Sequence, residues 1–321
     1  MKSQPHSVKL ALLNALSQGG FHSGEDLGDK LGISRAAVSK HIKGIQEWGV
    51  DIFRVQGKGY QLANPMQLLD DTVLSSSVTT PFALIPVIES TNQYILDNAR
   101  ELDSGFVCIA EYQSKGRGRR GREWISPFGS NLYLSMFWQL DAGIAAAMGL
   151  SLVVGVAIAE ALESLGLIGV KLKWPNDLYY DDKKLAGILV EMSGQAGGAA
   201  NLVIGVGMNL SMDEQVDGIT QPWTSISQIS KTPVDRNQLA VEIIKTLHKT
   251  LEDYELFGMN QFVERWNRLD NYLGRKVKLL MGPKTIEGIA QGINEQGAIL
   301  LDTSEGVQSF IGGEISLRNN E

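Results

Sequence analysis

Between Asp141 and Glu160 the chain runs for eighteen residues, 142–159, without a charge. That length is near the minimum that crosses a lipid bilayer, so the run lies either in lipid or inside a protein core. It is rich in alanine and glycine and carries Ser151, which favours a buried helix within a helical stretch over 142–165. A helix apolar all round must be covered on every side. The flanking sequence supplies the cover: strand-like runs (FALIPVI, GFVCIAEY, NLYLSMFW, VKLKW, KLAGILVEM, NLVIGVGMNL) and a second helical stretch over 236–257. Gaps between these runs are often of hairpin length, so the expected core over 66–270 is a mixed sheet with flanking helices rather than a doubly wound one. Gly205-Val-Gly207 lacks the third glycine and the following helix of a dinucleotide fingerprint.

With 321 residues, 43% of them hydrophobic, the chain has material for two or three domains. Residues 8–16 read as an amphipathic helix ended at Gly19-Gly20. Ser23, with Asp26 three residues on, caps a short second helix. Gly32 then permits a tight turn, and Ser34 caps a third helix. On that helix Val38, Ile42 and Ile45 share one face, while Ala36, Ser39, Lys40 and Lys43 lie opposite. VDIFRV and YQL flank Gln56-Gly57-Lys58-Gly59 as a hairpin wing, and Asn64-Pro65 closes the unit. Residues 1–65 therefore read as a winged helix-turn-helix, a module that binds DNA or, in other settings, protein.

Charge agrees with a DNA role. Residues 1–65 hold eight Lys/Arg against five Asp/Glu, a net of +3, which leaves -10 of the chain's -7 on the remainder. The third helix would enter the major groove from its Ser34 cap. Ser39 and Lys43 would contact bases or phosphates, Arg35 and Lys40 phosphates, and Lys58 would reach from the wing. From Gly274 short alternating runs with glycine turns signal a small β-barrel over 271–321. The lone Cys108, in an apolar run, excludes a disulfide framework and suits a reducing compartment. No secretory signal is evident at the N-terminus, so a cytoplasmic location is expected. His22, His41 and His248 stand in no metal-binding spacing, and no resident metal is expected.

Chemistry concentrates in Lys115-Gly-Arg-Gly-Arg-Arg-Gly-Arg122, five cations and three glycines in eight positions. Glycines let backbone amides approach a ligand, and guanidinium groups grip phosphate or carboxylate oxygens in pairs. By itself such a loop could also be a solvated basic loop or a nucleic-acid patch. Trp124 follows it, however, and Lys173-Trp-Pro-Asn-Asp177 and Lys184-Leu-Ala-Gly187 add lysine, amide and carboxylate groups beside an apolar strand. Together they make a pocket of mixed polarity. Ser90-Thr91-Asn92 alone would be a helix cap, and Trp174-Pro175 alone a packed turn.

Ser90-Thr-Asn92, Gln113, Gly116-Arg-Gly-Arg-Arg-Gly-Arg122, Lys173-Trp-Pro-Asn-Asp-Leu178 and Lys184-Leu-Ala-Gly187 resemble the motifs of biotin-protein ligases. Ser34-Arg-Ala-Ala-Val-Ser-Lys-His41 and Gly313-Glu-Ile-Ser-Leu-Arg318 extend the likeness to the bifunctional members that also repress biotin operons. The resemblance implies a class II synthetase-like central domain and an SH3-like C-terminal barrel. It implies that Ser90, Thr91, Asn92 and Gln113 hold the biotin head group with the backbone at Gly187, and that Arg117, Gly118 and Arg119 close over the valerate. Lys184 would touch the biotin carboxylate and the α-phosphate, with Arg119 and Arg122 as its partners in catalysis. Arg122, Trp124, Asn176, Asn209, Trp223 and Arg318 would lie around ATP and the adenylate, Trp223 stacking on adenine.

The implied reaction makes biotinyl-5'-AMP from biotin and ATP with Mg²⁺, then transfers biotin to a lysine of the biotin carboxyl carrier protein of acetyl-CoA carboxylase. Biotinyl-5'-AMP would also act as corepressor, promoting homodimerisation and operator binding. A carboxylate is already ionised at neutral pH, so its activation needs cations rather than a base. The anhydride hydrolyses easily, and 115–122 is expected to order over it; 211–223 is a second such segment, unusually acidic here. Two rivals remain at this point: a transcription factor that merely senses an anion, and an adenylating enzyme for another carboxylate such as lipoate.

Overall fold

A computed structural model describes residues 6–143, 147–194, 198–212, 218–311 and 316–319. Helices α1 (Ser7–Ser17), α2 (Gly24–Leu31) and α3 (Arg35–Gln46) begin the chain, followed by the antiparallel hairpin β1 (Ile52–Val55) and β2 (Gly59–Leu62). The expected caps are present: Ser23 Oγ accepts from the Asp26 amide at 3.0 Å and Ser34 Oγ from the Ala37 amide at 3.2 Å. Between them Gly32 ends α2 at φ 65, a left-handed conformation that glycine adopts without cost. Val38, Ile42 and Ile45 of α3 are buried with Leu12, Leu13, Leu16 and Leu27, which gives the winged helix-turn-helix its own small core.

That module rests on the remainder of the protein through Trp48, whose ring stacks on Phe128 (5.5 Å between centroids, 16° between planes) beside Tyr112. The Phe128 amide donates to the Trp48 carbonyl at 2.9 Å. Gly49, at φ 79, lies so close that a Cβ there would meet Pro127 at 2.8 Å. Behind the stack, Lys9 donates to the Gly44 carbonyl of α3 and stands 4.3 Å over the Trp48 ring.

The central region comprises α4 (Asp71–Ser77), β3 (Phe82–Leu84), β4 (Val87–Ile88), α5 (Thr91–Asn98), β5 (Val107–Ala110), β6 (Tyr112–Gln113), β7 (Asn131–Leu140), α6 (Leu150–Ser164), β8 (Lys171–Lys173), β9 (Asp177–Tyr180), β10 (Lys183–Gly194), β11 (Ala200–Asn209), α7 (Ile226–Ile229), α8 (Arg236–Phe257) and α9 (Asn260–Leu269). Seven strands form one sheet in the order β3-β5-β7-β11-β10-β9-β8. Only β3 and β5 run parallel, so the sheet is mixed, as the hairpin-length gaps imply. Ile109, Leu134, Met136 and Ile204 face α6 and α8, whereas Cys108, Phe137 and Val203 face α5 on the opposite side.

The uncharged run is a buried helix, but a shorter one than expected. Gly143 (φ 80) and Gly149 (φ 83) make turns, residues 144–146 lie outside the described ones, and α6 starts only at Leu150. Gly155 lets α6 approach the sheet, since a Cβ there would stand 3.2 Å from Leu172. Among the described residues Arg236 is the one buried cation of this core: it donates to Glu111 and to the Asn131 carbonyl, each at 2.8 Å, and to the Gln67 carbonyl. Glu111 in turn accepts from the Leu69 amide, which ties the segment after the wing to α8. Among the described residues, no helix is long and apolar enough to cross a membrane.

Beyond α9, strands β12 (Lys276–Met281), β13 (Lys284–Ile293), β14 (Ile299–Thr303), β15 (Gly306–Phe310) and β16 (Ser316–Asn319) form an antiparallel sheet ordered β15-β14-β13-β12-β16. The barrel foreseen for this region thus takes the form of a five-stranded antiparallel sheet among the described residues.

Candidate functional site

On the face of the central sheet that α5 only partly covers, a cleft of about 670 Å³ opens. Its floor is three glycines, Gly187 of β10 and Gly205 and Gly207 of β11, with Gly187 and Gly207 paired in register. A strand interior disfavours glycine unless something must come close. Here the reason is plain: a Cβ on Gly205 would enter the Asn92 amide, and one on Gly207 the Trp124 indole. The glycine pair that fails as a dinucleotide fingerprint is a floor for these two side chains.

At one end the α5 N-terminus and β6 meet. Ser90 is indeed the helix cap, its Oγ accepting from the Gln93 amide at 3.4 Å, and it lines the cleft as well. The Thr91 amide and hydroxyl donate to Gln113 Oε1 at 2.9 and 3.1 Å, and Gln113 Nε2 donates to Ser126 at 3.1 Å. Ser135 Oγ lies 2.7 Å from Thr91 Oγ1 and 2.5 Å from Asn92 Oδ1, while Asn92 Nδ2 donates to Glu191 at 2.8 Å. Ser90, Thr91 and Asn92 are buried, so this network is fixed before any ligand arrives.

The arginine loop forms the rim. Arg117 donates to Gln93 at 2.9 Å and to Glu191 at 3.0 Å. The Gly118 amide donates to the Arg122 carbonyl at 2.7 Å, and Arg120 turns the chain at φ 58. Arg119 donates to Asn176 at 2.9 Å, and Asn176 donates onward to the Ile188 carbonyl. Burial draws the Arg119 guanidinium below its ordinary value; Asp177 opposes that, and the charges of Arg120 and Arg122 add to it. Lys184 Nζ lies 2.8 Å from Asp177 Oδ1 and 5.5 Å over the Trp124 ring. Both members of that pair are about 15% exposed, so their interaction is only weakly screened.

Of the expected ligand-binding residues, Ser90, Thr91, Asn92, Gln113, Arg117, Gly118, Arg119, Arg122, Trp124, Asn176, Lys184 and Gly187 all line this one cleft. Asn209 and Trp223 lie beside the cleft rather than in its lining. Asn209 is buried and donates to the Thr224 carbonyl at 3.0 Å, because the 222–224 segment lies over it. Trp223 is half-buried and bridges to Lys184, leaving Gln221 and Pro222 to face the cleft. Arg318 pairs through its backbone with Lys278; its side chain lies outside what is described, as do residues 213–217 of the segment 211–223.

Sequence reasoning put Lys173 and Asp177 in a pocket of mixed polarity without giving either a role, and it missed Tyr179, Glu191, Tyr272, Lys278 and Asp182. Lys173, Asp177 and Tyr179 line the cleft, Lys173 donating to the Tyr179 hydroxyl at 3.0 Å. Glu191 anchors both Arg117 and Asn92. The C-terminal sheet region adds Tyr272 and Lys278. Asp182, also at the cleft, is gripped by both terminal nitrogens of Arg275 and by Asn271, and Arg275 holds its carboxyl below the usual range.

In the N-terminal module Ser34, Arg35, Lys40, Lys43 and Lys58 are exposed and Ser39 is half-buried beside Val38. Arg35 lays its stem against α2 at Gly24. Lys58 stands 5.5 Å over Phe21, and exposed Arg54 adds a cation to the wing.

Three family models match the chain: a helix-turn-helix domain over 8–61, the biotin/lipoate A/B protein ligase family over 84–209, and the biotin protein ligase C-terminal domain over 272–318. The chain is 52% identical to the bifunctional ligase/repressor BirA of Salmonella typhimurium, over 98% of this chain and 99% of that protein. It is 51% identical to the BirA of Escherichia coli over the same shares. Among solved structures, the biotin protein ligase of Aquifex aeolicus in complex with biotin and ATP is similar with a TM-score of 0.67 and 30% identity, over 75% of this chain and 99% of that one.

Proposed function

This chain belongs to the family of bifunctional biotin ligase/repressors, and from that premise we propose that its cleft joins biotin to ATP and then to a protein lysine. It is an ATP-dependent biotin ligase with a DNA-binding repressor module. The observation that carries the finer reading is the hydrogen-bonded end formed by Thr91, Asn92 and Gln113, set beside Lys184 and the arginine loop over one glycine floor.

In this reading the neutral, hydrogen-bonding biotin head group takes the end built by Ser90, Thr91, Asn92 and Gln113, with Gly187 below. Its carboxylate points toward Lys184, under Arg117, Gly118 and Arg119. The carboxylate oxygen attacks the α-phosphorus, the bond to the bridging oxygen breaks, and pyrophosphate leaves. No base is needed; the task is to bring anion to anion, which Lys184, Arg119 and Arg122 accomplish by neutralising charge. Mg²⁺ would enter with the ATP phosphates. Trp124 and Asn176 flank the nucleotide, while Asn209 acts through Thr224 to hold Gln221 and Pro222 in place. Trp223 and Arg318 reach the adenylate only if 211–223 and the C-terminal residues close over it.

The acceptor is a biotin carboxyl carrier domain. Without one, the biotinyl-5'-AMP complex dimerises and binds a palindromic operator through α3 and the wing, in the cytoplasm. The decisive experiment offers ATP, Mg²⁺, a carrier domain, and either biotin or lipoate. Carrier mass must rise with biotin alone, and pyrophosphate must appear. A lipoate adduct, or binding without pyrophosphate, would overturn the reading. Operator affinity must rise when biotin and ATP are added together, and no rise would remove the corepressor role.

A further inference from the structure

We infer that Asp177 is a catalytic residue of the second half-reaction, the carboxylate that receives the incoming lysine ammonium and takes its proton. This rests on the ligase reading above. A lysine side chain is an ammonium ion near neutral pH, with a pKa of about 10.4, and cannot attack an acyl carbon until it loses a proton. The first half-reaction needs no base, but the second does.

The cleft lining holds three carboxylates among the described residues: Glu123, Asp177 and Asp182. Asp182 is bound by both Arg275 nitrogens and by Asn271. Glu123 is exposed on the loop, bridged through its backbone to Arg117. Asp177 differs. It opens β9 between Lys173 on one neighbouring strand and Gly187 on the other, with its side chain only 16% exposed. Its Oδ1 lies 2.8 Å from Lys184 Nζ, yet this buried oxygen accepts no directed hydrogen bond, so the contact is one of charge alone. When Lys184 turns to the anionic adenylate, Asp177 is left as a desolvated carboxylate beside the activated acyl group. A second ammonium group is the natural replacement for the first.

The ammonium gives one proton to the Asp177 carboxylate, and the lone pair so freed bonds to the acyl carbon; the nitrogen of that tetrahedral adduct then sheds its second proton to solvent. The acyl carbon–oxygen bond then breaks, and AMP leaves with the electron pair. Asp177 later returns the proton to solvent.

The test loads the full-length protein with chemically prepared biotinyl-5'-AMP, so that adenylate formation is bypassed. It is then offered either a carrier domain or hydroxylamine, a nucleophile already uncharged near neutral pH. For Asp177→Asn the ratio of carrier rate to hydroxylamine rate should fall by about 10²-fold or more, the usual contribution of a positioned base. The carrier rate of the variant should also climb about tenfold per pH unit above neutrality, because only free amine then reacts, while the wild-type profile stays flat. Asp177→Glu should restore the flat profile. An unchanged ratio in Asp177→Asn, or equal losses with both nucleophiles, would overturn the inference while leaving the ligase reading intact. A wild-type protein that transfers no biotin would instead overturn that reading.

Discussion

Asp270 closes the joint between α9 and the C-terminal sheet, and its buried carboxyl makes the stability of that joint depend on pH. The residue is 7% exposed. Its Oδ1 accepts from the Tyr272 amide at 2.8 Å, and its Oδ2 has no hydrogen-bond partner. Burial pushes the carboxyl from 3.8 up to about 6, against the Tyr272 amide and the charges of Lys171 and Arg275, which pull it down. An acid with a raised value in the folded state binds its proton more tightly there than in the unfolded chain. The stability it contributes is therefore present below pH ~4 and lost as pH rises through ~6. About two units at 1.36 kcal/mol each amount to about 3 kcal/mol.

Asp270→Asn keeps an oxygen for the Tyr272 amide and cannot ionise. Denaturant unfolding of both proteins, followed by tryptophan fluorescence from about pH 4 to 7.5, separates two effects. The packing of the amide appears as a constant offset. The ionisation appears as a difference that grows by about 3 kcal/mol in favour of the variant across the window and then levels off. A difference independent of pH would refute the reasoning, since it would mean that the carboxylate is well solvated at this joint. The consequence reaches the cleft, because the Asn271 amide holds the Leu172 carbonyl of β8 and Tyr272 lines the cleft wall.

Lys184→Ala should slow pyrophosphate release by roughly 10²-fold or more, as when a preorganised charge is withdrawn from a transition state; a near-normal rate would show that the key cation is elsewhere. Gly207→Ala would set a Cβ 2.5 Å from Trp124 Nε1 in a central strand, and an overpacking cost of about 1–3 kcal/mol should weaken biotin binding at least fivefold by calorimetry, with circular dichroism unchanged. Phe128→Ala removes a ring that is 1% exposed and stacked on Trp48, a loss of about 3–5 kcal/mol. Amide exchange in α1 to α3 should quicken more than in α6, and uniform exchange would show that the stack does not hold the module.

Local signals were legible. The Ser23 and Ser34 caps and the Val38/Ile42/Ile45 stripe report on neighbours within two helical turns, the eighteen uncharged residues on one contiguous run, and each identified its element. The arginine-glycine loop stood out by composition, and it lies at the rim of the cleft. What escaped was everything decided by distant partners. Gly205 and Gly207 looked like a failed motif because the side chains that need their space, Asn92 and Trp124, lie about a hundred residues earlier. Strand alternation puts Asn209 on their face of β11, and only the return of the chain at Thr224 covers it. The helical reading of 142–149 overlooked that Gly143 and Gly149 both take positive φ.

The cleft also explains how an acidic chain keeps a cluster of cations ready for anions. Four of them have a partner already: Glu191 for Arg117, Asn176 for Arg119, Asp177 for Lys184, and Glu89 for Lys115. These partners are not equivalent. Lys115 and Glu89 are both more than 60% exposed, where a pair contributes little and is screened by salt. Lys184 and Asp177 are largely withdrawn from water, where breaking a pair without replacing it is costly. On the proposed reading, a ligand is therefore selected less by how many cations it meets than by whether it replaces Asp177 on Lys184. A carboxylate or phosphate oxygen can make that replacement, whereas a neutral group of the same shape cannot.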